Sequence, residues 1–522
     1  MVSGGASVAA DWPFGLLIQT EGNLQRHGQR RLISEGTPRD RRYDVVVIGA
    51  GLVGCEVAQR LRRQGADVMV IEAGPHRGHR HIGERAETEY LENRDTDPDF
   101  RAYFPFDSHA GLGSAGYRRR VGGRGLYWRG IVLPIERRAL DDWPAEVSNR
   151  LADGPNQPGS YARLISELDQ WVGVGGTSAP RNTCESRMLD KLEDFGLHAV
   201  PTPRAVRTGV DGRWSAYSAV GELPSECVRS GAPVTAIVPE SRGFRVSIDF
   251  DACVVMADRV VLAGGAFENI KLVDSMLLEV NASRPSEYPV FDHVATGSVM
   301  FEPNVTSGSA DASSGSVDPR VPAEGSVWLG YVPEADSNLF FEQRPMHGGV
   351  VHDSWTMGEY PIHSPALLTV SRDRGLTLDV PARSVAAVSE LHERQIHALR
   401  AALDRCGIDL AGGAVGGYRA AEELALGNPG AAFPYFEPPG DVDHESSGLA
   451  IGGDLVSTEG ELRAIPGIYV SGSALFPRPG AANPSLTSLA LAAQMAIHLG
   501  SGGGAVSPRN DVSIDRELGV SK

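Results

Sequence analysis

The sequence predicts an α/β fold, in which a Rossmann-like dinucleotide-binding domain is joined to a discontinuous α+β domain built on an antiparallel sheet. Three observations carry that prediction. A strand, a glycine loop, a helix and a second strand follow one another in roughly 30 residues from Tyr43, the size of one βαβ unit. Buried-strand signals return at 259–262 and in IYVSGS near the C-terminus, so the first domain is assembled from separated stretches. Between them, 326–382 alternates aromatic and polar residues, the pattern of an antiparallel sheet with two unlike faces.

Residues 1–42 are mixed polar and basic, with RHGQRR, and read as an N-terminal extension. The run from Val45 to Ile48 is short, β-branched and closed by glycine, as a buried parallel strand should be. GAGLVG follows, then CEVAQRLRRQG with Val57, Ala58 and Leu61 at helical spacing, then the strand DVMVIE. Residues 77–120 read as loop, and VGGRGLYWRG comes next. PGSYARLISELDQWVGV places Tyr161, Leu164, Ile165 and Leu168 on one helical face. Short strands are expected at 235–237, 244–248 and 253–256. A separate buried strand is expected at 259–262, before AGGAFEN and a helix through Leu272, Val273 and Met276. Residues 303–325 are low in complexity and read as a mobile loop. An amphipathic helix is expected over 384–407, with Val388, Leu391, Ile396, Leu399 and Leu403 inward. After the IYVSGS strand, SLTSLALAAQMAIHL reads as an apolar helix, and the remainder as a flexible tail. The resulting division is an extension at 1–42, a dinucleotide domain at 43–150, 225–290 and 440–500, a substrate domain at 151–224 and 291–439, and a tail at 501–522.

Composition narrows the function. With 41% hydrophobic residues, the 522-residue chain can bury a large core. The net charge of -17, from 66 Asp and Glu against 49 Lys and Arg, argues against nucleic acid as a partner. No run of 18 apolar residues predicts a transmembrane helix, and the first residues do not read as a secretory signal. Cys55, Cys184, Cys227, Cys253 and Cys406 are scattered singly, which suits neither a disulfide framework nor a metal motif and fits a reducing cytoplasm.

Gly49, Gly51 and Gly54 form the GxGxxG of a dinucleotide loop. The first permits the tight turn, the second lets backbone approach a pyrophosphate, and the third lets helix and strand pack closely. Phosphates would sit on the helix N-terminus, where free N–H groups and the dipole favour negative charge. Glu72, ending the second strand, is placed to accept hydrogen bonds from the ribose hydroxyls. This unit by itself does not separate FAD from NAD.

The segments DHESSGLAIGGD and IPGIYVSGSALFPRPGAANPSLTSLALAAQMAIHL resemble the C-terminal signature of the glucose–methanol–choline (GMC) oxidoreductases. VGGRGLYW, the Trp143–Pro144 pair and DRVVLAGGAFENIKL fall in the order of that family. The likeness covers roughly 43–285 and 440–500 and is thin over 290–435. Gly448 and Ala450 replace the family's threonine and arginine, and Gly472 replaces its aspartate. The Gly472 change and the short VGG loop are similar to the pyranose-oxidase branch. There, a histidine before the tryptophan can carry the flavin covalently; Tyr127 stands at that position here, which implies noncovalent FAD. The resemblance implies cofactor contacts at Gly122, Gly123, Tyr127, Trp128, Val234, Gly264, Gly472, Pro484 and Ser485.

It also implies an activity: oxidation of an alcohol to a carbonyl, by removal of the hydroxyl proton and hydride transfer to flavin N5. His444 matches the family's base and Asn483 its partner, an amide that can donate to the developing alkoxide. From the residues alone, Asn483 before proline and an apolar run is equally a helix cap. His293, in FDHV, reads mainly as a packed histidine, with orientation of flavin or a loop as the other role. His347, His352 and His363 read as surface or substrate-lining residues. Arg129 is placed to face an anionic substrate or flavin, while Glu136 and Arg137 read as solvated charge. The expected substrate is a small polar alcohol, sugar-like or aminocyclitol, with oxygen or another electron acceptor closing the cycle. A non-redox flavoprotein of lyase type and a catalytically degenerate binding protein are the alternatives. No metal site is expected.

Overall fold

Strand β1 (Arg42–Ile48) has no polar side chain after Asp44 and is buried along that stretch. Such a strand needs neighbours on both edges and cover on both faces. It pairs in parallel with β2 (Val68–Ile71) on one side and with Cys253–Leu262 on the other. In the computed structural model these belong to a seven-stranded sheet. Its order is Val228–Arg229, β2, β1, Cys253–Leu262, Phe244–Ile248, Val234–Pro239, with Ile468–Val470 also paired to Cys253–Leu262. The structure describes residues 41–84, 106–109, 118–209, 213–249, 253–303, 324–346, 348–371, 375–437, 440 and 442–502. The segments 1–40, 304–323 and 503–522, which include most of the expected extension, mobile loop and tail, lie outside the described residues.

Helix α1 (Leu52–Arg63) returns over the sheet and buries Val57, Ala58 and Leu61, the three positions its spacing selects. The expected break between strands at 253–256 and 259–262 is absent. Cys253–Leu262 is one strand, antiparallel to Phe244–Ile248 through its first half and parallel to β1 from Met256 on. Ala257 is fully buried, and Asp258 is held by the Arg42 guanidinium at 2.8 Å, so this pair extends the strand instead of turning it.

A second seven-stranded sheet has the order Val415–Gly416, Ala432–Phe436, His293–Pro303, Gly349–Glu359, Ser337–Met346, Gly325–Val332, Val200–Pro201. One face packs on the helix Ala382–Arg405. Leu339 and Phe341 meet Leu399 and Leu403 there, and the Gln395 amide donates to the Val294 carbonyl at 2.8 Å. The opposite face presents Asn338, Phe340 and Trp355, with Phe340 and Trp355 stacked at 4.3 Å. Alternation along the strands assigns the two faces, as the sequence pattern implies. A four-stranded sheet combines Tyr288–Val290, Ala366–Ser371, Gly375–Asp379 and Phe106–His109. The last of these lies in the stretch read from sequence as loop; it pairs in parallel with a strand nearly 270 residues later, which local pattern does not reveal. Among the described residues no helix is long and apolar enough to cross a membrane, and no cluster of His, Cys, Asp or Glu could hold a metal ion. All five cysteines are free.

Candidate active site

The glycine loop separates structural from ligand-facing constraints. A Cβ on Gly49 would lie 2.4 Å from the Ala263 carbonyl oxygen, and one on Gly54 would lie 2.0 Å from that of Gly49. Both are forced to be glycine by the chain itself. Gly51 is different: its φ is -78°, and a Cβ there meets nothing within 4 Å. Open space beside an unconstrained glycine at a helix N-terminus is the cradle a diphosphate would fill, so this loop fits a dinucleotide. Gly472 is held at a φ of +94°, and a Cβ there would meet only Val53 Cγ2, at 4.0 Å. Glu72 is buried, and its carboxylate accepts the N–H groups of Ala50 at 2.9 Å and Gly74 at 2.8 Å. It therefore ties the glycine loop to the end of β2. Burial raises its pKa above the ordinary carboxylate value, against those two donors, which lower it.

Beside this loop, Gly122 in left-handed conformation opens a single turn, Gly123–Leu126. The Arg124 guanidinium in that turn donates to the Asp443 carbonyl at 2.7 Å and to both oxygens of the buried Glu445, one of them at 2.8 Å. This clasp joins the glycine turn to the segment carrying His444. Asp443 and Ser447, on either side, have φ of 62° and 73°, so the backbone is sharply bent around the histidine. The bend is held by Ser447, whose hydroxyl donates to the Phe476 carbonyl at 2.5 Å, and by paired backbone bonds between Ser446 and Phe291.

Three groups converge on His444. Its backbone N–H donates to Asp292 Oδ1 at 2.9 Å. Its Nδ1 lies 3.1 Å from Nδ1 of His293, and its Nε2 lies 3.5 Å from Nδ2 of Asn483. Burial, then His293, then Arg124, push the His444 pKa well below the ordinary imidazole value. Burial likewise brings His293 down to about 4. Asp292 moves the other way, raised by burial and then by Glu445.

Asn483 occupies the backbone position of an N-cap before the helix Pro484–Gly500, yet its side chain makes no capping bond. Its Oδ1 is buried without a partner. The loop before it is held from outside. Gly480 donates to Glu359 at 2.9 Å, and its carbonyl meets His293 Nε2 at 3.0 Å. Ala481 donates to Glu136 at 2.9 Å, and its carbonyl accepts from Asn338 at 2.7 Å.

Several sequence expectations change here. His293 is not merely packed, since it touches both His444 and the loop; the adjacent Asp-His was the available signal. Arg129 is engaged by Glu342 at 2.5 Å and by Glu324, so it faces carboxylates of the chain. Glu136 is not solvated: its side chain is 16% exposed and holds Ala481. Arg137, by contrast, is exposed and pairs with Asp141 four residues on. Trp128 packs on the main core and donates from Nε1 to the Tyr217 carbonyl at 3.0 Å. Tyr127 lies under the Arg118 guanidinium, 5.2 Å from its ring. Val234 begins an edge strand, Gly264 follows the end of Cys253–Leu262, and Pro484 and Ser485 form the first turn of the last helix. His352 bonds Glu302 at 3.0 Å, His363 is exposed, and His347 lies outside the described residues.

A family model described as pyridine nucleotide-disulphide oxidoreductase matches residues 11–97. Two uncharacterized GMC-type oxidoreductases of Mycobacterium tuberculosis, from strains CDC 1551 / Oshkosh and ATCC 25618 / H37Rv, are each 25% identical over 545 residues. The alignments cover 89% of this chain and 77% of theirs. Among solved structures, a pyridoxine 4-oxidase from Mesorbium loti is similar with a TM-score of 0.59 at 16% identity, covering 87% of this chain and 99% of that one. A formate oxidase gives 0.60 at 11% identity, over 89% and 99%. A fungal aryl-alcohol oxidase gives 0.57 at 13%, over 88% and 99%.

Proposed function

Because the chain is a GMC-type oxidoreductase that binds FAD, we propose that it oxidises an alcohol group of a small polar molecule to a carbonyl, with His444 as the base and Asn483 as the donor to the reacting oxygen. The observation that carries the reading is the uncapped Asn483: its amide is spent on neither the helix nor a neighbour, and its Nδ2 points at His444 Nε2. A 3.5 Å separation is long for a hydrogen bond and suits two groups that share a third, the substrate hydroxyl.

Gly49, Gly51, Gly54, Glu72, Gly122, Gly123, Tyr127, Trp128, Val234, Gly264, Gly472, Pro484 and Ser485 would hold FAD, noncovalently given Tyr127. When bound, FAD supplies the hydride acceptor. The chain's own part is to take a proton and to stabilise a charge. His444, kept neutral by burial, accepts the hydroxyl proton at Nε2. Asn483 Nδ2 donates to the same oxygen as negative charge develops on it, and the N-terminus of Pro484–Gly500 adds a positive dipole end. A sugar-like or aminocyclitol substrate suits the surroundings. Asn483 Oδ1 and Trp355 Nε1 are both buried without partners, and an apolar substrate would leave both unsatisfied. Trp355 is partly exposed and backed by the fully buried Phe340, so its ring is the one of the stacked pair that the apolar face of a substrate ring would meet.

Anaerobic mixing of the yellow protein with sugars, aminocyclitols, nucleosides and lipid alcohols tests this directly. Bleaching of the flavin band by a polar alcohol, lost about 10²- to 10⁴-fold in His444→Ala with FAD retained, is expected. Readmitting air to the bleached protein then distinguishes oxygen from another electron acceptor. Acid precipitation should leave FAD in the supernatant. Bleaching of His444→Ala at the wild-type rate would remove the histidine from the mechanism, and flavin in the acid pellet would overturn noncovalent binding.

A further inference from the structure

We propose that His293 is a positioning residue that sets the tautomer of His444, through a one-way hydrogen-bond chain ending on the Gly480 carbonyl; the inference rests on His444 being the base. A carbonyl oxygen only accepts, so the 3.0 Å contact from Gly480 requires the proton of His293 to sit on Nε2. A neutral imidazole carries one proton, and His293 is 1% exposed, with burial bringing its pKa down to about 4. Its Nδ1 is therefore an acceptor. The 3.1 Å contact between the two Nδ1 atoms then requires His444 to donate from Nδ1. That leaves His444 Nε2 bare, on the side facing Asn483. Reversing any one proton along the chain places two donors or two lone pairs against each other.

The other groups facing His444 do not fix its proton. From the strand side, Asp292 Oδ1 accepts the backbone N–H groups of His293 and His444, at 2.7 and 2.9 Å, and so clamps the two main chains rather than either ring. From its own segment, Asp443 and Glu445 are engaged by Arg124, which reaches in from the glycine turn. From the last helix, Asn483 is neutral. His293 is left as the partner of Nδ1. The same arrangement serves both halves of a turnover, because His444 donates from Nδ1 to His293 whether or not Nε2 has taken a proton.

Two substitutions separate positioning from packing. His293→Phe keeps the shape and removes the acceptor, so the Nε2–H form of His444 competes and the base is lost from part of the population. A wrong tautomer of a catalytic histidine costs up to about 10⁴-fold, and a fall of about 10²- to 10³-fold in flavin reduction with FAD retained is expected. His293→Asn places an amide oxygen near the old Nδ1 and should hold the rate within about tenfold of wild type. A packing role predicts the reverse order, with phenylalanine tolerated and asparagine damaging. Nitrogen NMR of the FAD-loaded, ¹⁵N-histidine-labelled protein reads the tautomer without turnover. The His444 signal, identified by its loss in His444→Gln, should show the proton on Nδ1 in the wild type and shift toward Nε2 in His293→Phe. A wild-type proton on Nε2, or His293→Phe reducing flavin at the wild-type rate, overturns the inference; should the asparagine variant misfold, the wild-type spectrum decides. If His444→Ala is inactive while His293→Phe is normal, the base reading survives and only the positioning role falls.

Discussion

Replacing Asn483 by aspartate introduces a charge where the structure has a neutral donor, and the geometry sets the size of the effect. The new carboxylate would stand about 3.5 Å from His444 Nε2, the present amide distance. At an effective dielectric near 20, opposite charges at that separation attract by about 5 kcal/mol. Because about 1.4 kcal/mol is a factor of ten, this favours protonated His444 by up to about 10³-fold. In the wild type, burial keeps His444 in its neutral, proton-accepting form through neutral pH and below. The sign of the change follows. A base with a depressed pKa works down to acid pH, and a base whose pKa is raised loses rate at neutral pH and recovers it only as pH climbs. Helix stability should change little, since no capping bond exists to be lost and a carboxylate at a helix N-terminus is favourable by about 0.3–1 kcal/mol. Stopped-flow flavin reduction from pH 5 to 10, with thermal unfolding alongside, is the assay. A rate about 10²-fold down from loss of the donor, with the acid limb of the pH profile moved to higher pH and near-normal melting, is expected. A wild-type rate and pH profile in Asn483→Asp would refute the pairing of Asn483 with His444 and leave the residue only as the start of a helix.

Gly51→Val should give a folded but colourless protein. Its φ of -78° suits any residue and its Cβ meets no protein atom, so only ligand space is lost; unfolding in place of colour loss would show that the position is structural. Glu359→Ala should lower stability by about 3 kcal/mol in urea titration, because it strips the buried partner from Arg478 and from the Gly480 N–H together. An unchanged midpoint would show that the loop is held by its other contacts alone.

The parts legible in the sequence are those written in local pattern. The β1–α1–β2 unit appears because its strand is apolar throughout and its helix carries Val57, Ala58 and Leu61 at one spacing, and the last helix because Pro484 opens a long apolar run. The 106–109 strand was hidden because its partner lies nearly 270 residues away. Glu136 reads as solvated in sequence for a related reason: a charge looks free until a distant partner, here the Ala481 N–H, is brought to it by the fold, and Arg129, expected to face an anionic ligand, is met in the same way by the carboxylate of Glu342. The two readings of Asn483 were undecidable in sequence, since a cap and a donor use the same residue type in the same place. Only the direction of the side chain separates them.

The Gly480–Ala481 loop carries almost no information about its own shape. Its four backbone groups are met by Glu136, His293, Asn338 and Glu359, which come from four separate segments lying between 121 and 345 residues earlier. The template for this loop is therefore synthesised long before the loop itself. As the chain leaves the ribosome, the second sheet and the glycine turn can be waiting, but the peptide that completes them is still inside the machine. The 468–470 strand and the helix that ends at Gly500 arrive in the same late interval. Truncation before Ile468 would remove Asn483 together with Ile468, Val470, Leu486 and Leu489 of the main core, so a shortened chain would lack the centre and expose the apolar surface that these residues cover. The centre is therefore completed by a segment made after every group that shapes it.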